Sequence, residues 1–165
     1  MTPGEQKKHL YDLLKDFSTA MLASRTLDNS LHARPMAVAE LKPDAEAYFV
    51  TDARSPKVAE IEAHPDVLVT FQSSSEFATL YGTAAVVRDR AHVERLWKEA
   101  WRVWFPGGKD DPNLVLISVT PKSAEFWDNS GTEGITYLFE GLKAYLKGER
   151  PQPDDSINAK VTLRS

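Results

Sequence analysis

The chain contains no cysteine among its 165 residues. Disulfide bonds, thiol catalysis and thiolate metal sites are therefore excluded, although this absence does not identify a cellular compartment. The sequence also lacks an excess of positive charge, since its formal net charge is −4. A protein of this charge is not expected to take nucleic acid or an anionic membrane as its main partner.

Long apolar runs are missing as well. No run approaches the ~18 residues of a membrane-spanning helix, and the polar residues 1–8 contain no signal-peptide core. We therefore expect no membrane partner and a cytoplasmic location. The remaining composition, 42% apolar and 27% charged, is that of a globular protein with one domain, or one domain with appendages.

Common catalytic signatures are also absent. The sequence has no Gly-x-Gly-x-x-Gly fingerprint, no P-loop lysine and no Gly-x-Ser-x-Gly elbow. The four histidines are scattered without the spacing of zinc ligands. The pair Asp110-Asp111 fits a solvated loop better than a catalytic pair of carboxylates. The sequence thus predicts no metal site, and it leaves the catalytic residues unknown.

Residues 48–61 form the most informative stretch. Their aromatic and β-branched start predicts a strand, and Ser55 followed by Pro56 predicts the N-cap and first position of a helix. Lys57 would then project from the first helical turn, beside backbone N–H groups that have no partner inside the helix. Together with Thr51 and Ser55, these groups could bind one anion, most naturally a phosphate. The alternative is a plain strand–helix connection with a solvated lysine.

Periodicity and turn residues predict the other elements. Helices are expected over residues 3–16, 56–64, 90–104 and 136–147. Strands are expected over residues 19–24, 33–41, 48–50, 67–72, 77–87, 114–119 and 124–128. About seven strands, joined mostly by short turns, favour a mainly β fold: an antiparallel barrel or sandwich with peripheral helices.

The polar, proline-containing segment from Gly148 onward is typical of a flexible tail. We therefore divide the chain into a domain over residues 1–147 and a C-terminal tail over residues 148–165. The role of this tail is not evident from its composition.

Two residues inside predicted strands indicate irregular pairing. Pro35 cannot donate to a ladder, so its strand should have a free edge or a bulge nearby. Gly82 interrupts a long strand and indicates a bulge or the close approach of another backbone.

The tryptophans fall into two groups. Trp97, Trp101 and Trp104 lie at helical spacing and suit a core or an interface. Trp127 ends a predicted strand, where its ring could pack in the core or close over a pocket.

Several motifs together resemble a known family. They are Ala33-Arg34-Pro35-Met36, Phe49-Val50-Thr51-Asp52-x-x-Ser55-x-Lys57, Gly82-Thr83-Ala84, Phe105-Pro106-Gly107-Gly108-x-x-Asp111-Pro112-Asn113-Leu114 and Ala124-Glu125-Phe126-Trp127-Asp128. Their order and spacing across residues 9–130 resemble the general stress protein branch of the FMN-binding split-barrel superfamily. That superfamily includes pyridoxamine 5′-phosphate oxidase.

The resemblance implies a six-stranded antiparallel split β-barrel that forms a homodimer, with FMN bound between the subunits. It implies that Ser55 and Lys57 bind the phosphate, while Thr51 and Asp52, in one motif with Val50, lie near the ribityl chain or the ring edge. FAD would fit as well, because both flavins present a phosphate to Lys57. The resemblance also implies residues beside the isoalloxazine ring, the last two from the same or the other subunit: Arg34, Pro35, Met36, Gln72 and Trp127.

The leading hypothesis is therefore a flavin-dependent redox protein linked to stress responses, such as an oxidoreductase that uses a reduced nicotinamide donor. The alternatives are a non-catalytic protein that stores or senses flavin, and a dimeric structural module with an empty site. Efficient oxidation of pyridoxamine phosphate is not expected. Residues 128–134, after Trp127, include two acids and no Arg, Lys or His, whereas a phosphorylated substrate needs cationic donors.

Overall fold

The computed structural model describes residues 1–131, 146–148 and 157–164. The α-helices are α1 (Pro3–Leu14), α2 (Pro56–Ala63) and α3 (Arg90–Leu96), and 3₁₀ turns cover Glu99–Val103 and Gly108–Asp110. The strands are β1 (Thr19–Arg25), β2 (Leu31–Leu41), β3 (Ala47–Asp52), β4 (Asp66–Gln72), β5 (Glu76–Val87), β6 (Leu114–Asp128) and β7 (Asn158–Thr162). Within these ranges, no helix combines the length and apolar character needed to cross a bilayer.

Six strands close into an antiparallel barrel. Paired neighbours follow the order β3-β2-β1-β4-β5-β6, and β3 also pairs with β6, which closes the sheet on itself. β7 adds to β6 outside this closed set. The mainly β barrel with peripheral helices that the sequence predicts is confirmed.

The barrel encloses the main hydrophobic core, and α1 packs against it. Leu10, Leu13 and Leu14 of α1 are buried in the same cluster as inward-facing residues of the strands. A capping box between Thr2 and Glu5 begins this helix. The helix ends two residues before the predicted end near residue 16, within the usual fraying of a helix terminus.

β6 has two partners along one edge. Residues 114–119 pair with β3, and residues 123–127 pair with β7, while β5 covers the opposite edge. The prediction of two separate strands broken at Thr120-Pro121 is wrong. Pro121 lies between the two partners and next to a shift in the β5 register, where the missing N–H of a proline is tolerated.

The predicted helix over residues 90–104 is wrong beyond Leu96. Trp97 is extended, with φ −51° and ψ 134°, and a 3₁₀ turn follows. The three tryptophans therefore do not share one helical face, since Trp101 is buried and Trp104 is 62% exposed. The break brings Trp101 and Phe105 into a second cluster of buried residues, and this packing overrides the helical periodicity.

The C-terminal predictions have different outcomes. The predicted helix over residues 136–147 lies outside the described residues, apart from its last two positions. The flexible tail is wrong for residues 157–164, because they include β7, in which Ala159 and Val161 are buried. Alternate burial stabilises this short strand despite its polar surroundings in the sequence. The division of the chain at residue 148 stays a prediction.

Gly82 marks a close contact between the backbones of β5 and β6. The pairing register shifts between Tyr81 and Gly82. A Cβ at Gly82 would lie 2.3 Å from the carbonyl oxygen of Thr120 and 2.8 Å from the Cα of Pro121. Of the two alternatives that the sequence offers for Gly82, the close backbone approach is confirmed, while the register shift leaves Lys122 of β6 as the extra residue.

We predict that Gly82→Ala destabilises the fold by about 2 kcal/mol or more, because the methyl group would meet backbone atoms that cannot rotate away. For a protein of this size, this loss corresponds to a fall in melting temperature of at least about 4 °C. Gly4→Ala is the matched control, since nothing lies within 4 Å of its added Cβ. This variant should leave the melting temperature unchanged or raise it slightly. Equal small effects of the two substitutions would contradict the close contact.

Candidate functional site

β2 and β3 pair only near the turn that joins them. Val38 and Phe49 form the last pair, just beyond the bulged residue Ala39. If this register continued, residues 35–37 would lie opposite residues 50–52. No such pairs form, so the two strands diverge and the barrel opens between them.

Pro35 helps to explain where the pairing stops. Within the described residues, the edge of β2 that faces β3 has no partner strand over residues 31–37, whereas the other edge pairs with β1 throughout. A proline is tolerated on such an edge because no ladder hydrogen bond is required of it. The predicted free edge is confirmed, and the bulge at Ala39 lies four residues further on.

A cleft of about 500 Å³ occupies the opening between β2 and β3. Its walls come from the diverging strands, the start of α2 and the segment after the 3₁₀ turn. The lining residues are Pro35, Met36, Ala37, Val50, Thr51, Asp52, Lys57, Trp104 and Phe105. The structure thus brings together most of the residues that the sequence predicts for the site.

Lys57 is the cation of this lining. Its Nζ donates to Ser55 Oγ at 2.8 Å and to Thr51 Oγ1 at 3.0 Å. Ser55 occupies the N-cap position of α2, yet its side chain does not cap the helix. Thr51, Ser55 and Lys57 therefore lie together, as the sequence predicts, next to the start of a helix.

The surroundings of Lys57 favour binding of an anion. Burial lowers the pKa of Lys57, the positive charge of Arg34 lowers it further, and the charges of Asp52 and Glu60 offset these effects only in part. An anion in the cleft would favour the ammonium form and so relieve this unfavourable environment. Affinity for an anion should therefore fall as pH rises through the lowered pKa.

Asp52 is already paired. Arg54 donates to its carboxylate at 2.7 and 3.0 Å. These hydrogen bonds lower the pKa of Asp52 despite its partial burial, so the carboxylate stays ionised near neutral pH. It can accept a hydrogen bond from a ligand, but it is not a proton donor in this state.

Arg34 does not line the cleft. Its guanidinium donates to Ser24 Oγ at 2.6 Å, to the Leu22 carbonyl at 3.3 Å and to Glu60 Oε2 at 3.1 Å. The pair is mostly buried, with the side chains of Arg34 and Glu60 12% and 10% exposed. Arg34 thus joins β1, β2 and α2, and its predicted contact with a ring stays a prediction.

Gln72 and Trp127 lie in another cleft, of about 400 Å³, together with Thr70 and Phe77. One chain therefore does not bring these two residues to the cleft that holds Lys57. Their predicted approach to a ring bound there stays a prediction, and it requires a second subunit.

Sequence reasoning missed Trp104 and Phe105 as cleft residues. The periodicity placed Trp104 on a long helix, whereas the early end of α3 carries both aromatic rings to the cleft. The run Pro106-Gly107-Gly108 predicts only a helix end near Trp104, so it gives no signal for the earlier end at Leu96.

The cleft combines an apolar wall with one cationic corner. Pro35, Met36 and Val50 provide apolar surface, and Lys57 with its two hydroxyl partners provides the corner. This arrangement suits a ligand with a flat, largely uncharged part and a phosphate at one end. In the part of the chain that the structure describes, no three His, Asp or Glu side chains are grouped as metal ligands would be.

Comparison with known proteins identifies similar sequences. The profile of the family described as pyridoxamine 5′-phosphate oxidase like matches residues 5–152. General stress protein 26 of Bacillus subtilis is 29% identical over 80 residues, which are 46% of this chain and 56% of that protein. The chain therefore spans about half the length of this curated relative.

Two solved structures are similar to this fold. A protein described as a general stress protein 26 from Jannaschia sp. is 25% identical with a TM-score of 0.74, over 96% of this chain and 98% of that one. The general stress FMN/FAD binding protein from Xanthomonas citri is 30% identical with a TM-score of 0.66, over 77% of this chain and 91% of that one.

Proposed function

The chain belongs to the pyridoxamine 5′-phosphate oxidase-like family, and from that premise we propose that it binds a flavin, FMN in the first place, in the cleft between β2 and β3. The observation that carries this proposal is the placement of Lys57, which contacts Thr51 and Ser55 at one corner of a cleft whose remaining lining is apolar except for Asp52. The described ligands of the Xanthomonas citri relative, FMN and FAD, support a flavin and leave both open.

Each wall of the cleft would contact a different part of the flavin. Lys57 and Ser55 bind the phosphate, and the positive end of the α2 dipole adds to this attraction. Pro56 has no N–H, and the Val58 N–H already donates to the Ser55 carbonyl. Thr51 and Asp52 face the ribityl chain. The flat ring lies along the apolar wall of β2, formed by Pro35 and Met36.

We further propose that the protein is a redox protein of the stress-related branch. When bound, the flavin supplies the redox chemistry, and the chain binds it, orients it and limits the access of water. A non-catalytic flavin-binding protein, for storage or sensing, is the second candidate. It is favoured by the paired state of Asp52 and by the absence, among the described lining residues, of a histidine that could transfer protons.

Two measurements separate the hypotheses. A stable yellow protein after purification would exclude a structural module with an empty site. Turnover with a reduced nicotinamide donor would then favour the oxidoreductase over the storage or sensing protein.

The proposed phosphate contact predicts a selective loss of affinity in Lys57→Ala. A charge-assisted hydrogen bond to phosphate contributes on the order of 1.5–3 kcal/mol, so FMN binding should weaken roughly tenfold to a hundredfold. Riboflavin, which lacks the phosphate, should bind almost as before. Flavin-fluorescence titration measures both affinities. Lys8→Ala is the control, because that side chain is 78% exposed on α1.

The same titrations test the pH dependence. The FMN affinity of the unaltered protein should fall as pH rises through the lowered pKa of Lys57, and Lys57→Ala should lose this dependence. Equal losses for FMN and riboflavin in Lys57→Ala would remove Lys57 from the phosphate site.

We also propose a homodimer with the flavin between the subunits. The outer face of β1, β4 and β5 carries Met21, Leu68 and Tyr81, which are 40%, 39% and 43% exposed. Leu68 pairs directly with Tyr81, so the exposed apolar groups are neighbours. Gln72 lies on the same face of β4 as Leu68. A second copy packed on this face could bring its Gln72 and Trp127 to the ring.

Light scattering should therefore give about twice the 18.5 kDa chain mass. Leu68→Glu should weaken both the dimer and flavin binding, because it introduces charge into the proposed interface. Leu27→Glu, at a residue that is 68% exposed outside the strands, is the control. A flavin-loaded monomer would refute the shared site.

We predict that the protein does not oxidise pyridoxamine phosphate efficiently. Burial raises the pKa of Asp128, but hydrogen bonds from Ser130 and the neighbouring His9 outweigh this effect and lower it. The carboxylate contacts His9 at 2.9 Å and lies on the face of β6 opposite to Trp127, so it supplies no cationic donor for a phosphate dianion near that ring. A cation from elsewhere in the chain could substitute, but two candidates, Arg102 and Lys109, are paired with Glu99 and Glu94.

The loss of two charge-assisted contacts should reduce affinity for this substrate by about two to four decades. The assay is aerobic turnover of pyridoxamine phosphate by FMN-saturated protein, with pyridoxal phosphate and peroxide as the measured products. A catalytic efficiency near ~10⁴ M⁻¹s⁻¹, the low end of ordinary enzymes, would contradict the prediction.

A further inference from the structure

Trp104 gives the cleft an exposed aromatic rim. This residue lines the cleft and is nevertheless 62% exposed, and the preceding Val103 is 81% exposed. Two large apolar side chains are thus exposed in succession at this wall of the cleft. Tryptophan is highly buried on average in folded proteins, so its exposure beside a cleft suggests that a ligand covers it.

The exposure of Trp104 does not come from a loose backbone. The N–H groups of Trp104 and Phe105 both donate to the Trp101 carbonyl at 3.0 Å, and the Gly108 N–H donates to the Phe105 carbonyl at 2.9 Å. Trp101 and Phe105, on either side of Trp104 in the sequence, are buried in the second cluster of the core. The fold therefore fixes the backbone of Trp104 from both sides and leaves its indole mostly in solvent.

The indole N–H of Trp104 is also available to a ligand. In the described part of the chain, the indole N–H of Trp97 donates to Glu99, whereas that of Trp104 donates to no protein atom. Trp104 thus offers a π-face for stacking and one hydrogen-bond donor at the edge of its ring. Nucleobases and other planar rings stack on such side chains.

The charged groups of this wall favour an uncharged ligand. Arg102, the cation nearest to the rim in the sequence, is paired with Glu99. Lys109 donates to Glu94 at 2.6 Å. Under the proposed function, Lys57 binds the flavin phosphate. Each of these three cations then has an anionic partner, so the rim provides stacking without a free charge for an anionic group.

We infer that Trp104 is a stacking platform for a second, uncharged aromatic ring that binds beside the flavin. The inference rests on the proposed function, in which the flavin ring lies along another wall, formed by Pro35 and Met36 of β2. The second ring has two potential sources, the adenine half of FAD and a separate aromatic substrate. Both present a planar, uncharged π-system, so Trp104 would select ligands by their shape.

Two substitutions, Trp104→Ala and Trp104→Phe, test the platform. Leu27→Ala is the control, because Leu27 is 68% exposed and does not line the cleft. Calorimetric titration measures the ratio of FAD affinity to FMN affinity, and the affinity of the FMN-loaded protein for menadione, an uncharged naphthoquinone. Loss of one stacking contact should lower at least one of these quantities by roughly fivefold to a hundredfold in Trp104→Ala. Trp104→Phe should keep most of the effect, and Leu27→Ala should change neither quantity.

The two quantities identify the source of the ring. A lower ratio of FAD to FMN affinity in Trp104→Ala, with menadione binding unchanged, would identify the adenine of FAD. Weaker menadione binding at a constant ratio would identify a separate aromatic substrate. A fall in both would show that either ring can occupy the platform.

Three other outcomes would overturn the inference. If neither quantity falls in Trp104→Ala, no second ring stacks on the indole. If riboflavin affinity falls by the same factor, Trp104 contacts the flavin itself. If light scattering shows that the same substitution dissociates a dimer, the indole is a contact between subunits.

Adenosine and menadione binding to the flavin-free protein separates this inference from the proposed function. Saturation-transfer NMR should detect contact with at least one of these molecules, and this contact should be lost in Trp104→Ala and kept in Leu27→Ala. If the unaltered chain binds no flavin, the proposed function fails and the NMR contact still decides the role of Trp104. If flavin binds but neither molecule depends on Trp104, only this inference fails.

Discussion

The ladder between β3 and β6 is the constraint on which the site depends. β3 pairs with β6 along its whole length, from Ala47 to Asp52, but with β2 only as far as Phe49. Because β6 holds β3 in place, β2 can leave it without opening the barrel elsewhere. The cleft is thus a gap in one seam of a closed sheet. The side chains that line it from β2 and β3 are carried by strands of the sheet, which hold side chains more accurately than a loop would.

The second constraint on the site is the charge of the lysine in this gap. The protein buries part of a lysine, which lowers its pKa, and pairs it with hydroxyl groups rather than with a carboxylate. The nearby arginine has its carboxylate partner within the fold. One cation is consequently left with an unmet preference for an anion, and a ligand that satisfies it would stabilise the fold by mass action. Binding and stability are therefore linked at Lys57.

The sequence predicts local structure best where a residue itself restricts the backbone. Pro35, Gly82 and the pair Ser55-Pro56 each indicate a local backbone feature, so the free edge, the close backbone approach and the helix start were all predictable. The features that the sequence did not predict depend on contacts between residues that are distant in the sequence. Nothing near Trp97 signals that α3 stops there, because the cause is the burial of other aromatic residues against β3 and β6. The pairing of Arg34 with Glu60 spans 26 residues, and no spacing rule connects them. β7 was not predicted, because a five-residue strand in a mostly polar segment has too few apolar positions to give a recognisable alternation.

β7 has a consequence for how the protein behaves in a crowded solution. Beyond residue 119, β6 no longer pairs with β3, and its edge would present free N–H and C=O groups to any passing strand. β7 occupies this edge at residues 123–127. It is short and carries the exposed Lys160, both of which discourage further strand addition. Loss of β7 would leave this edge of β6 unpaired. Self-assembly through β6 would then compete with the native state.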